Sequence, residues 1–353
     1  MSPNVTPCQR ILVVKLRFHG DMLLTTPLIS TLKACYPAAG IDILLYEDTR
    51  PILCGNPDIH YIYGLQRKQS SLPEKAKEFI RLRAQLKKNR YDLIINLADQ
   101  WPIALLIKSL GARSIAAERH GPKRNIWQAL FTQCVPLRGE HVIDQNLSLL
   151  APLNLPADKF IHHMSLYYTP EDAQRVFSTR TALLNQPYIV IQPTARQLFK
   201  CWDNDKFARL IDYFKQRDME VVLTCGPGQA DLDTVEDIAS RCTPRPETAL
   251  AGKTSFSELA ALLDKAALYI GVDSAPMHMA AALNTPLVCL FGPTNHKQWR
   301  PRSDNSTLIW AGDYQAMPER QDLDRHKKYL SCIPAGDVIQ AAEALLSSAR
   351  QAQ

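Results

Sequence analysis

The sequence predicts an α/β protein built from two doubly wound halves, each a parallel sheet covered by helices on both faces. Three observations carry this reading. Apolar runs such as "RILVVKL", "YIVIQPT" and "PLVCLFG" are continuous rather than alternating, as in strands buried on both faces. Amphipathic segments separate them, which gives a parallel sheet its helical crossovers. The rhythm breaks once, between Pro152 and about Gln186, where Pro152, Pro156 and Pro170 crowd the chain ahead of Pro187. At 353 residues the chain is long for one core and comfortable for two. The expected division is residues 1–170, a linker at 171–186, and residues 187–353, with the last helix free to pack back on the first domain.

Element by element, "RILVVKL" reads as a buried strand, followed by a Gly20-Asp21 turn and a helix from about Met22 to Cys35. "IDILLY" and "YDLIINL" read as further strands, with the helix "SLPEKAKEFIRLRAQLKKN" between them. The second series runs from "YIVIQPT" through helix "NDKFARLIDYFKQR", strand "MEVVLTCG" and a helix near "DLDTVEDIASR". It continues with helix "SFSELAALLDK", strand "ALYIGV", helix "APMHMAAAL", strand "PLVCLFG" and the terminal helix "GDVIQAAEALLSSAR". Two such domains leave a cleft between their carboxyl-end loops, where doubly wound sheets bind ligands.

Composition narrows the possibilities. With 46% hydrophobic and 22% charged residues the chain is packed rather than disordered. Up to Arg180 there are 23 Lys and Arg against 15 Asp and Glu, and beyond it 18 against 20. A basic first half suits an anionic partner: a membrane surface, a phosphorylated acceptor or nucleic acid. Solvated helix faces such as "KEFIRLRAQLKKNR" account for part of the excess. Nine cysteines, without C-x-x-C or zinc-type spacing, fit reduced intracellular thiols. "ILVVKL" is too short for a signal peptide and carries Lys15 and Arg17 in its own segment, and no run is long enough to span a bilayer. A cytoplasmic protein, at most peripherally bound, is expected.

The most informative stretch is "GVDSAPMHMAAALNTPLVCLFGPT", Gly271 to Thr294. It places Asp273 at a strand end and Ser274, Ala275 and Pro276 at the first turn of a helix. Proline costs nothing there, since its absent N–H would have been unpaired. Free backbone donors and the positive end of the helix dipole make a phosphate site, although Asp273 or Ser274 serves equally well as a cap. Asp21 has the same ambiguity at its own strand-to-helix turn.

Taken as a pattern, "GVDSAPMHMAAALNTPLVCLFGPTNHKQWRP" closely resembles the donor-site signature of glycosyltransferase family 9, the lipopolysaccharide heptosyltransferases of the GT-B fold. "ILVVKLRFHGDMLLTTPLISTLKACYP", "HVIDQNLSLL" and "IVIQPTARQLFKCWDNDKFARLI" resemble the family's other segments in the right order. The resemblance implies two Rossmann-like domains facing across a cleft, and an inverting transfer of heptose from ADP-heptose to the inner core of lipopolysaccharide. The members most resembled add the side-branch third heptose onto the second. Asp21 becomes the general base. Thr194, Arg196, Lys200, Asp273, Ser274, Ala275, Pro276, His278 and Thr294 become donor-binding residues, with a lysine ammonium and a helix terminus suited to a diphosphate. Many relatives place an acid for the donor ribose after the second strand of this domain. Here "GPGQADLD" has none directly at the turn, which leaves Gln229 or Asp231. Trp202 reads as packing rather than adenine stacking.

A lipid-linked, phosphorylated core oligosaccharide is an anionic acceptor, for which Lys15, Arg17, His19, Arg119 and His120 are the candidates. The membrane's inner face is the expected surface partner, with basic loops and Trp127 to serve it. No cofactor or metal is expected, because the three Asp-x-Asp triplets at Asp203, Asp231 and Asp322 sit in polar segments, none at an apolar strand end. No nucleic-acid motif supports a nucleic-acid partner. A non-hydrolysing nucleotide-sugar epimerase shares the two-domain architecture and is the alternative enzyme class.

Overall fold

The computed structural model describes residues 8–67, 71–178 and 180–351. The chain divides into two units, Met1–Ser165 and Leu166–Gln353.

The first unit holds six strands: β1 (Arg10–Val14), β2 (Gly40–Tyr46), β3 (Tyr61–Leu65), β4 (Leu93–Asn96), β5 (Arg113–Ala117) and β6 (Gln133–Val135). Their order is β3-β2-β1-β4-β5-β6, and every pairing is parallel. Residues Ile11 to Val14 of the central strand are wholly buried, with Ile11 in register with Ile41 and Leu93. Each such aliphatic side chain contributes roughly 1.5–3 kcal/mol on burial. The winding reverses beside β1, with β2 on one side and β4 on the other. The carboxyl ends of β1 and β4 therefore flank a switch point, the place where open α/β sheets bind ligands.

The second unit holds β7 (Tyr188–Gln192), β8 (Glu220–Leu223), β9 (Leu268–Val272), β10 (Leu287–Phe291) and β11 (Ser306–Trp310), in the order β11-β10-β9-β7-β8, again all parallel. Its switch point lies between β7 and β9. The helix Asn204–Lys215 sinks Phe207, Leu210, Ile211 and Phe214 into the core, a spacing of three and four that keeps them on one face. Trp202 is fully buried, its ring edge-on to Phe207 and its indole N–H donating to the Ile333 carbonyl at 3.1 Å. The terminal helix, Ala335–Gln351, packs on Asn204–Lys215 and on β9, β10 and β11.

Two details differ from the sequence reading. The stretch expected as a linker at 171–186 contains two helices, Pro170–Phe177 and Ala182–Asn185, and belongs to the second unit. Thr169 and Asp172 cap the first reciprocally, and Arg175 ties it to Glu258 at 2.8 Å on the neighbouring helix Phe256–Asp264. Pro170 starts this helix instead of breaking the chain. The helix expected from Met22 to Cys35 is two, His19–Leu23 and Thr26–Cys35. Between them the Thr25 hydroxyl donates to the Asp21 carbonyl (2.8 Å), the Thr26 hydroxyl donates to that of Leu23 (2.7 Å), and Pro27 has no N–H to continue the ladder.

Candidate active site

In the second unit the polar residues converge on the switch point. Gln192, the last residue of β7, donates its amide to the Thr194 hydroxyl (3.1 Å) and accepts from Thr224 (2.9 Å), so Thr194 is buried and fixed. Gln192 is in register with Gly271 of β9. Thr194 and Asp273 thus stand two residues beyond paired positions, on adjacent strand ends. Lys200, closing a short turn after β7, meets Asp273 there: Nζ lies 2.7 Å from Oδ2, with the side chains 24% and 9% exposed. The contact is an ion pair without hydrogen-bond geometry, so the ammonium keeps its donors for an anionic ligand.

Ser274 stands at the N-cap of the helix Ala275–Ala282 with extended backbone, but its side chain makes no capping bond. Helix capping therefore does not explain this serine. Its Oγ is buried close to the Tyr269 hydroxyl, and neither completes a hydrogen bond of normal geometry. Gly271 permits this arrangement, because a Cβ there would sit 2.2 Å from the Tyr269 hydroxyl. Ala275 and Pro276 form the first turn, and His278 is buried one turn further along. Thr294 is half-buried beyond β10, and Arg196 is exposed in the loop after Thr194.

In the first unit Asp21 is the third residue of the helix His19–Leu23, half-buried, with Oδ2 accepting the Phe18 N–H at 3.3 Å. It is not the N-cap that the sequence allowed. Among the described residues its Oδ1 takes no hydrogen bond. Lys15 is buried beside it; burial pushes its ammonium below the usual lysine range, and the charge of Asp21 partly offsets this. Arg17 crosses the switch point to Asp99, beyond β4, at 2.7 Å. The His19 ring reaches the Asp48 carbonyl at 2.9 Å, and burial first of all pushes its pKa down. Arg119 donates to the Asp99 carbonyl at 3.1 Å, its guanidinium carbon 5.1 and 5.0 Å from the ring centres of Trp101 and Trp127. His120 is exposed and takes no hydrogen bond among the described residues.

The profile of glycosyltransferase family 9 (heptosyltransferase) matches residues 79–330. The chain belongs to this family. Lipopolysaccharide heptosyltransferase 3 of Escherichia coli (strain K12) is 51% identical over 94% of this chain and 96% of its own length. The solved family 9 glycosyltransferase of Veillonella parvula superposes with a TM-score of 0.84 at 23% identity, covering 96% of this chain and 97% of that one. The E. coli ADP-heptose lps heptosyltransferase II gives 0.78 at 22% identity, over 97% and 100%. These likenesses establish the GT-B fold, and the chain is a heptosyltransferase.

Several features of this heptosyltransferase escape sequence reasoning. Asp99 ends "LIINLAD", and the strand-end position that singled out Asp273 would have found it. Asp48, Tyr46 and Arg67 also surround the Asp21 turn, and no motif marks them. In the second unit the Asp231 carboxylate folds back over the turn after the edge strand β8: a Cβ on Gly226 would lie 2.7 Å from its Oδ2. Gln229 instead donates to Asp233 on the exposed helix surface at 2.7 Å. Trp127, expected as an exposed aromatic, is buried and donates to the Ala117 carbonyl at 3.0 Å. Among the described residues, no group of three or more His, Cys, Asp or Glu is arranged to hold a metal ion.

Proposed function

We propose that the enzyme transfers a heptose from ADP-heptose to the inner core of lipopolysaccharide, and that this is the side-branch third heptose added to the second. The half-identical E. coli relative named lipopolysaccharide heptosyltransferase 3 supports the choice of heptose. The observation that carries the chemistry is the Lys200–Asp273 pair at a switch point, beside a helix N-terminus that its own Ser274 does not cap.

A departing diphosphate accumulates negative charge as the glycosidic bond breaks. Lys200, paired with Asp273, and the first turn of Ala275–Ala282 meet that charge with donors that need little reorganisation. Thr194 adds a hydroxyl fixed by Gln192, and Asp231 is the better-placed partner for the ribose diol. In the first unit Asp21 takes the proton of the attacking hydroxyl, and the configuration at the sugar carbon inverts in a single displacement. Arg17, Lys15 and Arg119 supply positive charge for a phosphorylated, lipid-linked acceptor, and His19 stands beside them as an imidazole that can hydrogen-bond a sugar hydroxyl. Lysine and the helix terminus do the work that other sugar transferases give to a divalent ion, so we infer that no metal is required.

Because the acceptor is lipid-linked, we place the enzyme peripherally at the inner face of the inner membrane. Among the described residues no helix is long and apolar enough to cross a membrane. The exposed turn and helix start from His120 to Ile126, with Lys123 and Arg124, offer basic and apolar side chains together.

Mass spectrometry of the lipopolysaccharide core from cells lacking this gene tests the assignment. The core should lose one heptose, and an unchanged core would contradict it.

A further inference from the structure

We propose that Arg67 is a positioning residue for Asp21, acting through the single peptide unit that joins Arg17 to Phe18. The inference rests on the reading of Asp21 as the base. Arg67 lies two residues beyond β3, and its guanidinium carbon is 4.1 Å from the Tyr46 ring centre and 4.6 Å from that of Phe18. Its Nε reaches Asp48 Oδ2 at 3.1 Å and its Nη2 reaches Oδ1 at 3.4 Å. The same Nη2 donates to the Arg17 carbonyl at 2.8 Å. One side chain thus gathers the loops that follow β1, β2 and β3.

The Arg17 carbonyl and the Phe18 N–H belong to the same peptide. Its oxygen takes the Arg67 hydrogen bond, and its N–H gives the 3.3 Å bond to the Asp21 carboxylate. A cation on the carbonyl polarises that peptide and strengthens the bond its N–H donates. Arg67 therefore fixes the direction from which the carboxylate is held. The task suits arginine, since a planar fork can stack on two rings and still bind Asp48 and a carbonyl. Lysine has a single ammonium and no plane to stack. The second contact on the turn, from the His19 ring to the Asp48 carbonyl, shows Asp48 pinning the same segment from its other side.

The test uses the full chain with ADP-heptose and core acceptor. Arg67→Gln should lower kcat by about 10- to 100-fold, the scale of a slightly misplaced catalytic group, and leave the donor KM within about twofold, since the contacts of Arg67 described above are to first-unit residues that follow β1 and β2. Arg67→Lys should recover only a small part, and added guanidinium should partly rescue Arg67→Ala. Phe18→Leu, which removes only the ring beneath the guanidinium, is the second variant should the others unfold in a thermal scan; its kcat should fall in the same direction by less. Wild-type kcat in Arg67→Gln, with or without a rise in acceptor KM, would overturn the inference. Asp21→Asn separates the two readings. If it abolishes turnover while the Arg67 variants behave as wild type, only the positioning role falls. If it turns over normally, the base assignment falls and takes this inference with it.

Discussion

Replacing Lys200 by Met keeps the length of the side chain and deletes its charge, and two effects follow that can be measured apart. The first concerns folding. Asp273 is 9% exposed and pairs with Lys200 at 2.7 Å, so the variant strands a nearly buried carboxylate. Removing one partner of a buried ion pair costs up to about 3–5 kcal/mol, and less here because the lysine keeps contact with solvent. The second concerns turnover. If the ammonium meets charge that develops on the leaving diphosphate, its loss resembles removal of one oxyanion donor, about 10²–10³ in kcat. The double variant Lys200→Met/Asp273→Asn separates the effects: removing both charges restores most of the stability, and it cannot restore turnover. Urea unfolding reads the first effect and acceptor-dependent ADP release reads the second. Recovery of kcat in the double variant would show that Lys200 only neutralises Asp273, and the proposed diphosphate role would be refuted.

Three shorter predictions accompany it. Trp202→Ala should lower the stability of the second unit by about 3–5 kcal/mol in urea unfolding while any folded fraction keeps its donor KM; a large donor KM change at unchanged stability would mean that the ring stacks on adenine after all. His19 has its pKa depressed by burial, so between that value and the ordinary one the unfolded chain binds more protons, and stability should rise with pH across this window. His19→Asn should flatten the rise, and an identical slope in the two proteins would show that His19 does not contribute. Turnover should persist after exhaustive treatment with EDTA, and loss restored by a divalent ion would contradict the metal-free reading.

Much of the architecture is written in local pattern. β1, β7 and β10 announce themselves as apolar runs because both their faces are covered. β3, β5 and β6 do not, since "YIYGL" is only half-buried, "RSIAA" starts with an exposed arginine, and "QCV" is three residues long. The helical character of 170–177 was legible in Thr169-Pro170-Glu171-Asp172, where proline opens a capped helix, but the crowd of prolines masked it. At the site, strand-end position and helix chemistry make Asp21, Asp273 and Ser274 candidates from local sequence, with capping an equal reading until the family pattern is added. The ion pair between Lys200 and Asp273 is not legible, because it depends on β7 and β9 being neighbours. Arg67 is less legible still: one arginine in "LQRKQS" resembles any solvated cation until the fold sets Phe18 and Tyr46 on either side of it.

The most direct measurement is ADP release from ADP-heptose by the purified enzyme, followed with and without a core acceptor that carries the second heptose. The account predicts ADP and a singly extended core when both substrates are present, and a donor recovered unchanged when the acceptor is absent. Conversion of the donor sugar in the acceptor-free mixture, or no ADP when the acceptor is supplied, would contradict it.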